Sequence, residues 1–127
     1  MVKRLMMSEW LGIFIGGGLG SVARVAISRW LNPEHGSFPW GTFSVNLLAC
    51  VIFALAFVWF SKKESFSNSL QLMVLLGFCG GFSTFSTFSV ETFRLLENQQ
   101  FAAAFLYVIA SIFACLLVLW LIFKSFA

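Results

Sequence analysis

The sequence predicts an all-α integral membrane protein with four transmembrane helices, and three observations carry that prediction. Of its 127 residues, 60% are hydrophobic and 10% are charged, against roughly 25% charged in an ordinary soluble domain. Four apolar runs are each about 20 residues or longer, the length that crosses a bilayer. Charges gather at the ends of those runs, where Lys3, Arg4, Lys62, Lys63 and Lys124 read as membrane-flanking residues.

A short basic start, Met1 to Ser8, leads into the first span, roughly Glu9 to Leu31. Lys3 and Arg4 before an apolar run would also suit a secretory signal. Glu9 interrupts that run, however, and Arg24 and Arg29 follow without a clear cleavage site, so the segment is read as a span. Ser8, Gly12, Gly16 and Gly20 recur every four residues. Small residues at that spacing let helix backbones approach closely in lipid, and this face is expected to form the seam between two subunits. Gly18-Leu19-Gly20-Ser21-Val22-Ala23 fits the dinucleotide pattern G-x-G-x-x-A, but lacks the preceding strand and soluble helix that give the pattern meaning. Arg24 is more telling. A guanidinium within a span costs at least about 2.5 kcal/mol, so it either faces a wet cavity or snorkels to the interface.

Asn32 to Pro39 is a turn by its Pro, Gly and Asn content. Trp40 opens the second span, which ends near Phe60, with Trp40 and Trp59 as interfacial anchors. Thr42 and Asn46 lie four apart on one face. An amide buried in hydrocarbon needs partners, so Asn46 either glues helices together or lines a pore, and its pairing with Thr42 suggests a polar track. Ser61 to Ser69, carrying Lys62, Lys63 and Glu64, is a loop. The third span is Leu70 to Leu96. Near its end Glu91 precedes Arg94 by three residues, a spacing that suits a modest structural ion pair. Glu97 to Gln100 turns the chain into the fourth span, Phe101 to Phe126, whose chief polar groups, Tyr107 and Ser111, are again four apart.

The third span is the unusual one. It holds three glycines, Gly77, Gly80 and Gly81, and then a dense row of hydroxyls where an ordinary membrane helix carries Leu and Val. Glycine lowers helix propensity by roughly 1 kcal/mol relative to alanine, so a break is expected between Gly77 and Ser83, with Ser83 or Thr84 capping a new helix. Broken backbone at membrane depth is tolerated only where protein or a wet cavity satisfies it, and such breaks recur at ion sites. Beyond the break, Phe82, Phe85 and Phe88 fall three apart and should stack along one face, beside Ser83, Ser86 and Ser89 and next to Thr84 and Thr87. Ring edges are positive, so edge-on phenyls together with hydroxyl donors would replace the water shell of a small anion. The plainer reading is that the rings are core and the hydroxyls bond back to carbonyls one turn earlier.

Other classes are set aside by inventory. Cys50, Cys79 and Cys115 are odd in number and sit in apolar spans, which suits packing better than a disulfide framework or a zinc site. There is no Asp, and the one His, His35, stands beside a Pro in a loop. Neither a nucleophile with its base nor a metal-ligand set can be assembled from these residues, so no enzyme is expected. The net charge of +3 sits in loops and at ends, and does not argue for nucleic acid. Four spans place both termini and the Lys62-Lys63 loop on one side, against Arg29 and Arg94 on the other, a bias that favours cytoplasmic termini.

Three patterns together resemble one family, the small fluoride channels called Fluc or CrcB. The family's third helix carries a Gly-Gly pair followed by Thr-Thr-Phe-Ser-Thr-Phe, which here reads Gly80-Gly81-Phe82-Ser83-Thr84-Phe85-Ser86-Thr87-Phe88, with Ser83 in place of the first Thr. A Gly-rich first helix with one Arg matches Gly16 to Arg24, and Gly-Thr-x-x-Val-Asn matches Gly41-Thr42-Phe43-Ser44-Val45-Asn46. Val25 and Ala49 depart from the usual aromatic and Gly, which bears on local packing. The resemblance implies an antiparallel, dual-topology homodimer in a bacterial inner membrane, surrounded by lipid and conducting fluoride ion passively through two pores. Phe85 and Phe88 would present ring edges to fluoride, Asn46 would donate to it or orient the rings, and Ser86 and Thr87 would supply hydroxyls. Thr42, Tyr107 and Ser111 would form the polar track, and Arg24 the pore mouth. Backbone carbonyls of Gly80 and Ser83 would hold a structural sodium ion shared by both subunits. A second class, the small multidrug-type proton-coupled exporter, also has four short spans, but needs an acid deep in a span, and Glu9 and Glu91 look too near the ends.

Overall fold

Four apolar helical spans, 7–31, 40–61, 68–97 and 101–126, are each long enough to cross a membrane. The computed structural model describes residues 4–32, 38–63 and 65–126, all in helices and the short connections between them. Lys3, Glu64 and the 33–37 part of the expected turn lie outside the described residues. The first span is α1 (Met7–Leu31) and the second α2 (Trp40–Ser61). The third comprises α3 (Asn68–Leu72), a π-helical turn (Met73–Phe78), α4 (Cys79–Phe82) and α5 (Phe85–Glu97), and the fourth is α6 (Phe101–Phe126).

The glycines of α1 do not face outward to a second subunit. They face the third span of the same chain. A Cβ on Gly16 would lie 2.1 Å from the Met73 carbonyl oxygen, and one on Gly20 would lie 2.2 Å from that of Phe78. The reverse holds as well, since Cβ atoms on Gly77 and Gly81 would meet the carbonyl oxygens of Ile13 at 2.8 Å and Gly17 at 2.3 Å. Two backbones therefore meet with no side chain between them, a contact that only small residues allow. The expected intersubunit seam of Gly12, Gly16 and Gly20 is corrected to an intrasubunit one.

The break in the third span is also placed differently. Gly77, Gly80 and Gly81 stay helical, and the chain leaves the helix at Ser83 (φ −77°, ψ 158°) and Thr84 (φ −152°, ψ 116°). Gly77 and Gly81 serve close approach here, not unwinding. What stabilises the break is Asn46: its Oδ1 accepts from the Thr84 N–H at 2.8 Å and its Nδ2 donates to the Thr84 carbonyl at 3.2 Å. A backbone group left unpaired in hydrocarbon would cost several kcal/mol, and one side chain satisfies both polar groups of Thr84. Thr84 then caps α5, its Oγ1 accepting from the Thr87 N–H at 3.2 Å, as expected of either Ser83 or Thr84.

The break also splits the phenylalanine row. Phe82 is 2% exposed, packs with Val45 and Ala49, and stacks on Phe78 with ring centroids 5.5 Å apart. Phe85 and Phe88 begin the next helix on a different face, so the expected stack of three is a pair. Two further ties position the spans. Glu9, 2% exposed, accepts from the Met6 N–H at 2.7 Å and from the Asn68 amide, joining the starts of α1 and α3. Asn32 Oδ1 accepts from the Gly41 N–H at 2.7 Å, joining the end of α1 to the start of α2. At the opposite end of α2, the Lys62 ammonium lies 4.9 Å from the centre of the Phe126 ring, so the ends of α2 and α6 share one side of the bundle.

Candidate functional site

The side chains of α2 and α6 that matter repeat every four residues, and on a helix that spacing keeps them on one face. Thr42, Asn46 and Cys50 descend α2; Tyr107, Ser111 and Cys115 descend α6. Helix α5 enters between them from the break. Its Glu91 accepts from Thr42 Oγ1 at 2.8 Å through one carboxylate oxygen and from the Tyr107 hydroxyl at 2.8 Å through the other. Thr42 and Tyr107 are fully buried. Glu91 therefore turns into the bundle, towards these two donors and not along α5 to Arg94. The surface ion pair expected from spacing is corrected to a buried polar bridge among three helices, and an acid thought too near the span's end reaches the track.

One turn further along, a groove of about 310 Å³ is lined by Asn46, Ser83, Thr84, Phe85, Phe88 and Ser111, with Cys50, Ile112 and Cys115 completing it. Phe88 lies against Tyr107 with centroids 4.9 Å apart, and Phe85 follows Phe88 at 5.8 Å. Phe85 is 79% exposed, so the groove opens on the flank of the subunit. Ser111 is the telling residue. Its hydroxyl is buried at 7% exposure and has no hydrogen-bond partner among the described residues. Serine within a helix ordinarily bonds back one turn, and a buried polar atom normally has a partner.

The remaining expected site residues are placed as follows. Ser86 Oγ sits 3.3 Å from Thr84 Oγ1, which donates to Thr87 Oγ1 at 3.0 Å, so Ser86 and Thr87 belong to the hydroxyl cluster that caps α5. Arg24 is half-buried on α1, and its Nε donates to the Gly81 carbonyl at 3.1 Å, with the Ser21 hydroxyl donating to the same oxygen at 3.4 Å. That oxygen lies just before the break, so Arg24 braces the broken span from behind. The Gly80 and Ser83 carbonyls have a particular status. In an unbroken helix Gly80 would receive the Thr84 N–H and Ser83 the Thr87 N–H; here those donors go to Asn46 and to Thr84 Oγ1. Two carbonyls at the break are thus relieved of their helical partners, and both residues line a second hollow with Ala49, Phe53 and Leu119.

Sequence reasoning missed Glu91 as a member of the track and Thr84 as the residue Asn46 holds. The signal for Glu91 was its spacing: four residues after Thr87, it shares that residue's face of α5.

Comparison with known proteins fits this architecture. The family described as "CrcB-like protein, Camphor Resistance (CrcB)" matches residues 11–123. The chain belongs to this family. Its curated relatives include the "Fluoride-specific ion channel FluC" of Escherichia fergusonii, 42% identical over 107 residues and 84% of each chain. Proteins of the same description from Escherichia coli O139:H28 and Shigella boydii serotype 18 are each 41% identical over the same share. Those relatives are ion channels and not enzymes. As a CrcB-family chain with four apolar spans, the protein is integral to the bacterial inner membrane.

Proposed function

We propose that the protein conducts fluoride passively, as an antiparallel homodimer with two pores. The observation that carries this reading is the groove between α2, α5 and α6, where two phenyl rings, the Asn46 amide and the unpartnered Ser111 hydroxyl converge. A small anion stripped of water needs donors and positive edges, and hydrocarbon offers neither. The groove's composition supplies both. Thr42 and Tyr107 continue the path, and the Glu91 carboxylate occupies both of their donors. An anion reaching that level competes with Glu91 for the same hydroxyls. If Arg24 stands at a pore mouth, its charge would raise the local concentration of anions there. Its hydrogen bond uses only Nε, so the rest of its guanidinium is left to that role.

The open flank supports a dimer: a groove whose wall carries the Asn46 amide and the Ser83 hydroxyl is poorly matched to lipid, and a second copy packed over it would enclose the path. The Gly80 and Ser83 carbonyls support a structural sodium ion: they are oxygen ligands suited to a hard cation, and the break has freed both from the helix.

Fluoride efflux from liposomes containing pure protein tests the reading. Passive electrogenic efflux is expected without any proton gradient. Flux that requires a proton gradient would favour the multidrug-type exporter instead, and no fluoride flux would reject conduction. Replacing sodium with a bulky organic cation should lower the unfolding temperature, because a ligand bound only by the native state stabilises it by mass action. Unchanged unfolding after exhaustive exchange would remove sodium from the proposal.

A further inference from the structure

The ladder of paired side chains on α2 and α6 has a third rung. Thr42 and Tyr107 form the first, joined through Glu91, and Asn46 and Ser111 form the second. One turn on, Cys50 and Cys115 form the third, lining the same groove. The two come from different spans, yet they stand at the same level of the ladder and share one groove wall. Both are half-buried and free of disulfide, so reagents entering the groove can reach them. Cys79 is buried and lines the second hollow, on the other side of Cys50.

We propose that Cys50 and Cys115 form a two-coordinate site for a soft metal cation such as the mercuric ion. Thiolate sulfur selects soft ions over the hard cations that carbonyl oxygens prefer. The number of ligands narrows the choice. Among the described residues no three His, Cys, Asp or Glu side chains converge on one point, which disfavours the four-ligand zinc geometry and leaves ions content with two sulfurs in line. The chemistry balances without electron transfer. Two S–H bonds break, two S–Hg bonds form, and two protons leave together with the two chlorides of mercuric chloride. That salt is largely an uncharged molecule in chloride solution, so the apolar flank of the groove does not bar it. An ion held there would pin α2 to α6 at the groove wall, one turn from Asn46 and Ser111.

The test does not depend on which ion the protein conducts. Detergent-solubilised protein is treated with mercuric chloride, then labelled with a maleimide and read by intact-mass and peptide mass spectrometry. The expected result is one mercury per subunit, with Cys50 and Cys115 protected from label and Cys79 labelled as in untreated protein once the chain is unfolded. Cys50→Ser and Cys115→Ser should each weaken mercury binding by about 100-fold or more, the scale on which holding two ligands on one scaffold raises effective concentration. Cys79→Ser should bind as the parent does. Protection of Cys79 together with Cys50, or parental affinity in Cys115→Ser, would overturn the proposal. The protection pattern in the unaltered protein decides the matter even if a variant fails to fold. Mercury should also reduce fluoride efflux in a way that excess dithiol reverses. Protein that shows no efflux at any stage would count against fluoride conduction, while the labelling pattern would still judge the thiol site.

Discussion

The contact of α1 with the third span and the contact of α2 with α5 and α6 solve opposite problems. In the first, Gly16, Gly20, Gly77 and Gly81 bring carbonyl oxygens to where a Cβ would have to sit, and the interface is backbone on backbone. In the second, side chains hold the helices apart around a groove of about 310 Å³, and one of them, Ser111, keeps an unpartnered hydroxyl. In lipid no hydrophobic effect drives helices together, so tight apposition on one side stabilises a subunit whose other side is loosely filled, a mainly apolar groove with a few polar groups in its wall. The lesson is that the rigid seam and the functional groove lie on opposite faces of one broken span. Arg24 and Asn46 connect them, gripping Gly81 and Thr84 on either side of the break.

The largest effect expected is on the rigid side. Gly16→Leu places carbon 2.1 Å from the Met73 carbonyl oxygen, where backbone cannot yield cheaply. No folded subunit should survive, and size-exclusion should show aggregate or no protein. A monodisperse Gly16→Leu protein would mean that the seam is softer than its geometry. Gly18→Ala sets the scale from the same helix: a Cβ there meets nothing within 4 Å, so the variant should fold like the parent or gain up to about 1 kcal/mol of helix propensity.

On the groove side the damage should be to flux and not to folding. Phe88→Ile keeps an apolar side chain but removes the ring edge and the contact with Tyr107. Fluoride efflux should collapse while the protein elutes as the parent does, and Phe85→Ile should behave likewise. Near-normal efflux from both would return the rings to a packing role and erase the contrast between the two faces.

Asn46 belongs to both regions, which makes it the sharpest probe between them. Asn46→Leu leaves the Thr84 N–H and carbonyl unpaired, and each unsatisfied buried group costs about 1–3 kcal/mol. Asn46→Asp keeps an acceptor for the N–H and should unfold at an intermediate temperature. A milder effect on the groove side belongs to Tyr107→Phe, which removes one hydrogen bond to Glu91. It should fold, with a lower unfolding temperature and slower efflux. An unchanged efflux rate would take the Tyr107 hydroxyl off the path.

By itself the sequence determined the class, the four spans, the polar face of each helix and that the third span would break. Composition settles the solvent, because charged residues cannot remain in hydrocarbon unpaired, and a four-residue spacing settles which side chains share a face. Thr42 with Asn46 and Tyr107 with Ser111 were legible for that reason. The tertiary structure alone decided what each local signal was for. A small-residue stripe says that something comes close, but not whether it is another subunit or the chain's own third span. Three glycines lower helix propensity without saying that a neighbouring backbone will hold them helical, or that an amide on another helix will draw the break to Ser83 and Thr84. Glu91 and Arg94 share a spacing, yet two buried hydroxyls on other spans outcompete a surface guanidinium for the carboxylate. Periodicity is a property of one helix, while partner choice is settled between helices, where distances of a few ångströms separate a clash, a hydrogen bond and a groove.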